Sequence, residues 1–200
     1  MHNHSDGKDK KGFGINLLSN PQITYKWIPR TFRSQYSWQI LSGKWRIESP
    51  NRIIYLKQPN MRTGENVSII GSNNWADFNF QVKFKILTKS IKPPEGGVIL
   101  YFLFKNIRNY YSFHFCLPKK KVELIKRLHG NWSIISEKRY NFETQKDYKV
   151  TINTISSIHQ CQIEGIQLIK KFEKDISNGC IGIGVKYCDV EFSHVSISVS

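Results

Sequence analysis

Seven side chains that could bind a sugar fall at alternate positions of four predicted strands. They are Lys83, Lys85, Tyr101, Tyr110, His114, Glu123 and Arg127. Aromatic rings stack on the apolar face of a pyranose ring, while Lys and Arg bind hydroxyls, carboxylates or sulfates. If the four strands are neighbours in one concave sheet, these side chains form a single ligand-binding surface. The same arrangement is also typical of a solvated or partly covered face, so both interpretations stay open.

These positions follow from a period of two in each strand. Between Trp75 and Ile86 the apolar residues alternate with polar and basic ones, and successive side chains of a strand point to opposite faces. We expect the following residues to face inward: Phe80, Val82 and Phe84; Val98, Leu100 and Phe102; Tyr111, Phe113 and Phe115; Val122 and Leu124. The residues between them then face outward, which adds Gln81, Ile99, Leu103, Ser112 and Ile125 to the seven candidates.

Patterns for catalysis and metal binding are weak in this chain. Glycoside hydrolysis usually needs two carboxylates at a set separation. Only two acidic pairs have one-residue spacing, Glu173 with Asp175 and Asp189 with Glu191, and neither has a third acid. The histidines are scattered without ligand spacing, and no dense Asp/Asn loop indicates calcium. We therefore name no catalytic residue, no metal ligand and no cofactor, and the question of enzyme activity stays open with a binding role favoured.

The elements that carry these residues are short strands. Breaks such as Pro93–Gly97 separate them, and a hairpin is predicted over His129–Asn131, because proline cannot donate to a β ladder and glycine permits a tight turn. About a dozen strands are predicted, and no segment has a long helical period. The pattern predicts an all-β fold, an antiparallel two-sheet β-sandwich. We interpret residues 1–20 as a flexible N-terminal tail and residues 21–200 as one domain.

The chain is strongly basic. It has 30 Lys and Arg against 15 Asp and Glu, a formal net charge of +15, which favours anionic partners. The strongest basic cluster is Lys119–Lys121 with Lys126 and Arg127. Contacts of that cluster with sulfated glycan, phosphate or nucleic acid would weaken steeply with salt. A lysine-rich surface also keeps a β protein soluble and protects its edge strands, so the charge alone does not choose between these interpretations.

The sequence does not identify a compartment. The longest apolar run, Val98–Phe104, is too short to span a bilayer, and the first residues lack a hydrophobic signal region. We expect no membrane insertion, and we interpret the chain as either cytoplasmic or a fragment of a secreted protein. The four cysteines have no C-x-x-C spacing, so a zinc site is not expected. The oligomeric state stays open.

An ordered series of short motifs extends over residues 38–199. In chain order they are Gly43-x-Trp45-x-Ile47, Trp75-x-Asp77-Phe78, Gly97, Asn109-Tyr110-Tyr111-x-Phe113, Gly130-x-Trp132, Tyr148-x-Val150-x-Ile152, Glu164-Gly165, Asp175 with Gly179-x-Ile181-Gly182, and Val190-x-Phe192-x-x-Val195-x-Ile197. The series resembles the concanavalin A-like lectin/glucanase superfamily, in particular its laminin-G-like jelly-roll branch, which includes the group linked to 3-keto-disaccharide hydrolysis. The resemblance implies a jelly-roll sandwich with one concave sheet that holds the ligand with its rim loops. Glucanases of this superfamily carry a Glu-x-Asp-x-(x)-Glu pattern, which this chain lacks.

These observations favour one function and leave two alternatives open. The favoured one is a non-catalytic carbohydrate-binding domain that uses the aromatic and basic face, with a glycan or polysaccharide as partner and an anionic glycan among the options. The first alternative is an enzyme that acts on 3-keto-glycosides or glycosides. The second is a module that binds polyanions, with sulfated glycan favoured over nucleic acid.

Overall fold

The computed structural model of the protein describes residues 13–16, 38–49, 52–55, 65–87 and 95–199. Every regular element within these ranges is a β-strand. In chain order the strands are β1 (Phe13–Asn16), β2 (Gln39–Ile40), β3 (Trp45–Ser49), β4 (Arg52–Tyr55), β5 (Glu65–Ile70), β6 (Phe78–Ile86), β7 (Gly97–Asn106), β8 (Asn109–Cys116), β9 (Lys121–Leu128), β10 (Asn131–Arg139), β11 (Asp147–Ile155), β12 (Ile158–Ile163), β13 (Ile166–Phe172), β14 (Cys180–Lys186) and β15 (Val190–Val199). The described ranges contain no helix that could cross a membrane.

The strands form two sheets in which all pairings are antiparallel. The eight-stranded sheet has the order β13-β12-β11-β6-β15-β4-β3, and β1 pairs with β15 beside this path. The seven-stranded sheet has the order β10-β9-β8-β7-β14-β5-β2. Many neighbours in these sheets are distant in sequence, as where β14 lies between β7 and β5. The predicted all-β, two-sheet sandwich is confirmed.

The core lies between the two sheets and consists of the residues that the alternation predicts. All eleven side chains predicted to face inward are at most 1% exposed. Phe84 of β6 connects the sheets, because its ring meets the ring of Phe115 of β8 edge-on with centroids 5.3 Å apart. Such edge-to-face contacts add to the stabilisation from buried aromatic area.

One predicted outward residue of β7 is buried in this core instead. Leu103 has a φ of +47°, and the register between β7 and β8 shifts after Phe102. Between Phe102 and Asn106 three residues of β7 oppose the single residue Tyr110 of β8, and this β-bulge reverses the alternation beyond Phe102. Leu103 therefore joins the core, and Phe104 takes the outward position. The prediction for Leu103 is wrong because a bulge is not visible in the alternation of the sequence.

The predicted N-terminal tail contains a paired strand. In β1, Ile15 lies opposite Ile197 of β15 in the backbone register. The tail prediction is corrected for residues 13–16, and the other residues of 1–20 lie outside the described residues. The single domain over residues 21–200 stays a prediction.

The hairpin between β9 and β10 positions two side chains of the candidate site. His129 and Gly130 both have positive φ, +54° and +92°, as a tight hairpin turn between twisted strands requires. The turn sets the register so that Trp132 lies opposite Arg127. The hairpin predicted over His129–Asn131 is confirmed.

Candidate functional site

The outer face of the seven-stranded sheet brings together five of the seven candidate residues. Strands β7, β8 and β9 are neighbours, and the register places Tyr110 opposite Arg127 and His114 opposite Glu123. Tyr101 lies on β7, and its ring centroid is 5.1 Å from that of Tyr110. The structure therefore groups these five residues on one face, while their binding of a ligand stays a prediction.

Lys83 and Lys85 do not join this face. They lie on β6, which belongs to the eight-stranded sheet, and their ammonium groups lie 2.8 Å and 3.4 Å from the carboxylate of Asp147. The two outer faces of a sandwich point in opposite directions. The prediction of one surface with all seven residues is wrong for these two lysines, because alternation assigns a side chain to a face but does not assign its strand to a sheet.

A cavity of about 300 Å³ opens on the outer face of the seven-stranded sheet, and we call it the outer cavity. It is lined by Glu65, Glu95, Ile99, Tyr110, Ser112, His114, Lys119, Glu123, Ile125, Arg127, Trp132, Ile134 and Lys186. Trp132 was not among the candidates, yet the predicted hairpin could have placed it opposite Arg127. Glu65 and Lys186 come from β5 and β14, and no local signal in the sequence indicates that these strands lie beside the site.

A cluster of three aromatic rings lies on this face at the cavity. Tyr110 and Phe104 are stacked with centroids 5.6 Å apart, and Tyr101 meets both rings edge-on. The Tyr101 hydroxyl donates a hydrogen bond to Glu65. Burial raises the pKa of Tyr101 well above its usual value and also raises the pKa of Tyr110. Both phenols therefore stay protonated near neutral pH, and the cluster presents Tyr110 to the cavity as a neutral aromatic surface.

Glycines on β14 make room for the Tyr101 ring. A Cβ on Gly184 would lie 2.6 Å from Cε2 of Tyr101, and a Cβ on Gly182 would lie 3.3 Å from its Cβ. No alanine fits at position 184 without displacement of the ring, because contacts below 3.0 Å do not occur for real Cβ atoms. The bare backbone of β14 thus lets Tyr101 lie across it and reach Glu65.

We expect Gly184→Ala to lower the free energy of unfolding by about 1–3 kcal/mol, the usual cost of overpacking. Urea unfolding measures this change. The double variant Gly184→Ala/Tyr101→Leu serves as the control, because its cost should be smaller than the sum of the single costs if the two side chains collide. Strict additivity would contradict this explanation.

Arg127 lies beside the exposed edge of the aromatic cluster. Its guanidinium carbon is 6.0 Å from the centroid of the Tyr110 ring, within reach of a cation–π contact. Its Nε donates a hydrogen bond of 3.3 Å to the carbonyl of Gly130 in the hairpin turn. These contacts hold a planar donor group at the cavity wall next to an aromatic surface.

Glu123 is a buried carboxylate that is ionised by its neighbours. It is only 2% exposed, its Oε2 is 3.3 Å from Nδ1 of His114, and its Oε1 is 2.8 Å from the Lys121 ammonium. Burial alone would raise the pKa of Glu123, but the hydrogen bond from His114 and the charge of Lys121 outweigh burial and lower the pKa to about 2. This carboxylate therefore serves as a fixed negative charge behind His114.

The charges that line the outer cavity are balanced, unlike those of the whole chain. Three carboxylates and three permanent cations line it: Glu65, Glu95, Glu123, Lys119, Arg127 and Lys186. Glu95 lies 2.6 Å from Lys186 and 4.0 Å from Lys119. The hydrogen bond from Lys186 lowers the pKa of Glu95 and keeps it ionised. The charges of these six residues thus sum to zero, whereas the chain carries +15.

One lysine of the basic cluster binds the acidic pair that the sequence singled out, and a second lysine binds other carboxylates. Lys126 lies 3.0 Å from Glu173 and 2.8 Å from Asp175, so these two acids hold a lysine. Lys121 lies 2.5 Å from Glu137 as well as close to Glu123. Ion pairs of 3.0 Å or less thus engage two of the five residues of the cluster that could have bound a polyanion.

The described residues show neither a disulfide nor a grouping typical of a metal centre. Cys116, Cys161, Cys180 and Cys188 are buried free thiols. No three His, Cys, Asp or Glu side chains among the described residues lie close enough together to hold a metal ion.

The two-sheet β-sandwich is similar in fold to several solved structures. Carbohydrate-binding module CBM66 from Bacillus subtilis superposes with a TM-score of 0.68 at 18% identity, over 80% of this chain and 94% of that one. The carbohydrate recognition domain of Emp47p superposes with a TM-score of 0.64 at 11% identity, over 97% of this chain and all of that one. A putative glycosyl hydrolase from Parabacteroides distasonis has a TM-score of 0.55 at 10% identity, over 82% of this chain and 88% of that one.

These identities establish a shared fold and no more. Neither a protein-family model nor a curated protein sequence matches the chain. The jelly-roll sandwich implied by the sequence resemblance is confirmed as a fold, and the solved structures that share it include a carbohydrate-binding module and a putative glycosyl hydrolase.

Proposed function

We propose that this protein is a non-catalytic glycan-binding domain that takes a neutral sugar into the outer cavity. The observation that carries the proposal is the combination in one cavity of an aromatic surface, Tyr110 and Trp132, with the fixed polar groups of Arg127 and Glu65. Aromatic faces stack on sugar rings, and a few oriented polar groups give specificity. Similarity in fold to binding modules and lectins supports the proposal. We also propose that this chain belongs to the laminin-G-like branch of the concanavalin A-like lectin/glucanase superfamily.

A neutral sugar fits the cavity better than a polyanion does. The six charged residues of the lining cancel, so an anionic ligand gains no net attraction there. Two lysines of the basic cluster, Lys121 and Lys126, also form ion pairs with carboxylates. The charge balance of the site, and not the +15 of the chain, decides which ligand enters the cavity.

A binding role also fits the two cavity carboxylates Glu95 and Glu123 better than hydrolysis does. A general acid of a glycosidase needs a raised pKa, so that it keeps its proton near neutral pH. The pKa of Glu123 is lowered to about 2, and the pKa of Glu95 is also lowered, chiefly by the hydrogen bond from Lys186. Both carboxyl groups have lowered pKa values instead of the raised pKa of a general acid. This supports a site that holds a sugar without cleaving it.

A glycan array probed at two salt concentrations tests the proposal. We expect binding to neutral oligosaccharides that changes little between about 50 mM and about 200 mM salt. A polyanion binder with 6–10 phosphate contacts would lose about 1000-fold or more over that range. Binding confined to sulfated glycans and lost at the higher salt would favour the polyanion alternative, and the absence of all glycan binding at low salt would overturn the proposal.

We expect Trp132→Ala to weaken binding of a neutral glycan about 10-fold, equal to about 1.4 kcal/mol, because it removes a stacking surface. Isothermal titration calorimetry measures this change with an oligosaccharide found on the array. Phe172→Ala is a matched control, since Phe172 is 63% exposed and Trp132 is 62% exposed, but Phe172 lies on the eight-stranded sheet. Equal losses in both variants would place the sugar elsewhere.

A further inference from the structure

The outer face of the eight-stranded sheet carries a row of uncharged polar side chains across five neighbouring strands. Gln81 of β6 lies opposite Ser196 of β15 on one side and opposite Thr151 of β11 on the other. Gln162 of β12 lies opposite Thr151, and Gln167 of β13 lies opposite Gln162. In β6, β11 and β12 these residues alternate with buried core residues, so their side chains point away from the core.

A second row lies beside the first, two residues away on each of four strands. Asn79 of β6 lies opposite Ser198 of β15 and opposite Asn153 of β11. Gln160 of β12 lies opposite Asn153. Every residue of the two rows carries either an amide or a hydroxyl, so the rows form a continuous band of neutral polar groups.

The amides of the two rows hold one another in place. Nδ2 of Asn79 donates a hydrogen bond to Oδ1 of Asn153, and Nε2 of Gln81 donates one of 3.0 Å to Oδ1 of Asn79. Nε2 of Gln160 donates a hydrogen bond of 2.7 Å to Oε1 of Gln167. An amide has two N–H donors and an oxygen with two lone pairs, so each of these groups keeps hydrogen-bonding capacity for a partner.

Three exposed apolar side chains continue this face at one end. Ile158 of β12 lies opposite Ile155 of β11 and opposite Phe172 of β13, and both isoleucines lie two positions beyond the second row on their strands. Ile155 is 58% exposed, Ile158 is 38% exposed and Phe172 is 63% exposed. Large apolar side chains that are exposed side by side mark an interaction site, whereas scattered ones do not.

We call the two polar rows and these three apolar residues the neutral face. It contains no charged residue, although the chain of 200 residues has 30 Lys and Arg and 15 Asp and Glu. Charges begin at its border, where Lys83 lies opposite Lys149 in the next row and Lys170 lies opposite Gln160 on the edge strand. A core depleted of charge inside a polar rim is typical of an interface between proteins.

The chemistry of the neutral face fits a second copy of the same face. Amides and hydroxyls both donate and accept hydrogen bonds, so the face is complementary to itself, as a two-fold symmetric interface requires. A chain with a net charge of +15 repels its own copy, and two copies therefore approach most easily where charge is absent. A strongly acidic partner would instead be attracted to the lysines that surround the face.

We infer that the protein forms a homodimer in which two copies pack their neutral faces against each other and bury Phe172 and its isoleucine neighbours between the sheets. The outer cavity lies on the other sheet of each copy, so it points away from this interface and stays open. The inference goes beyond the proposed function and is independent of it, because the dimer forms with or without a ligand in the cavity.

Sedimentation equilibrium of the full chain without ligand tests the inference. The protein is measured from about 5 to about 200 µM at about 150 mM salt, which covers the affinities of weak homodimers. We expect a monomer of 23.4 kDa at the lowest concentration and a dimer at the highest. Raising the salt to about 500 mM should strengthen the dimer or leave it intact, because salt screens the repulsion between two basic chains.

Two outcomes of this measurement overturn the inference. A monomer at every concentration shows that the neutral face does not bind its own copy. A dimer that dissociates at the higher salt is held by ion pairs, which the neutral face does not contain. Both outcomes leave glycan binding by the outer cavity intact, because the calorimetric and array measurements do not depend on dimerisation.

Two matched lysine substitutions locate the interface. Ile155 of the neutral face and Ile107 of the turn between β7 and β8 are both more than half exposed. We expect Ile155→Lys to weaken dimerisation about 10-fold or more, because two-fold symmetry places two added charges in one interface. Ile107→Lys adds the same charge outside the interface and should change the dimer dissociation constant little.

Thr151→Lys, near the middle of the first row, is a second probe of the interface, and Thr151→Ser is its control because it keeps the hydroxyl. Urea unfolding of each variant verifies that it is folded. Dimerisation of folded Ile155→Lys and Thr151→Lys variants as tight as that of the unmodified chain overturns the inference. Equal losses in Ile155→Lys and Ile107→Lys overturn it as well, since net charge and not the neutral face would then control association.

Discussion

Lowering the pH from about 6.5 to about 4 is expected to reduce the free energy of unfolding by about 3 kcal/mol through one residue, His159. His159 is fully buried in the core, with its ring centroid 5.0 Å from that of Phe102 and 4.9 Å from that of Tyr111. Burial disfavours the charged imidazolium and lowers the pKa of His159 from 6.5 to about 4.

The sign of this pH effect follows from whether the folded or the unfolded state binds the proton. Between pH 6.5 and about 4, His159 is protonated in the unfolded chain but neutral in the folded one. The unfolded state binds more protons in this window, so stability is fully present above pH 6.5 and is lost as the pH falls through the window. Two contacts hold the neutral ring, Nε2 at 3.0 Å from the carbonyl of Glu173 and Nδ1 at 3.4 Å from Oγ1 of Thr154.

Urea unfolding at pH 7, 6 and 5 measures the effect, with His159→Phe as the control that cannot titrate. The difference in free energy of unfolding between the two proteins should shrink or reverse as the pH falls, because only the protein with His159 loses stability through this group. Glu123 does not interfere in this range, since its pKa is lowered from 4.5 to about 2 and its contribution is lost only below about pH 4.5. Parallel pH profiles of the two proteins would rule out His159 as the cause.

The alternation of side chains was sufficient to predict the sandwich and its core. In β6 the residues alternate between buried and half-buried over the whole strand, because one face packs against the other sheet and the other face meets water. Hairpins could also be predicted where glycine marks the turn, as at Gly130 between β9 and β10. These signals are local, so a single sequence contains them.

The prediction of a single surface was wrong where it depended on pairing between strands that are distant in sequence. β6 pairs with β11 and β15, and no residue near Lys83 indicates this choice. β13 was not predicted as a strand at all, because its exposed Lys170 and Lys171 and the register shift at Cys161 hide the period of two. Five of the seven candidate residues do share one face, because their strands β7, β8 and β9 are consecutive both in the chain and in the sheet.

The Arg127→Ala variant is expected to bind a neutral glycan about 10- to 100-fold more weakly than the unmodified chain. Hydrogen bonds to a charged group are worth about 1.5–3 kcal/mol, and Arg127 is the cavity cation that lies over the Tyr110 ring. Arg127→Lys should recover only part of the affinity, because an ammonium lacks the planar fork of a guanidinium. Calorimetric titration with a neutral oligosaccharide from the array measures both variants.

Lys83→Ala provides the matched control, because it removes the same unit of charge from the opposite outer face. Electrostatic attraction by the whole chain depends on net charge, so a polyanion binder would lose similar affinity in both variants and recover it at low salt. Affinity for a ligand in the outer cavity depends on the position of the charge and not on the net charge. The Arg127→Ala variant should therefore lose most of its affinity at every salt concentration, while Lys83→Ala keeps its affinity. Equal losses in the two variants would show that net charge, and not the outer cavity, attracts the ligand.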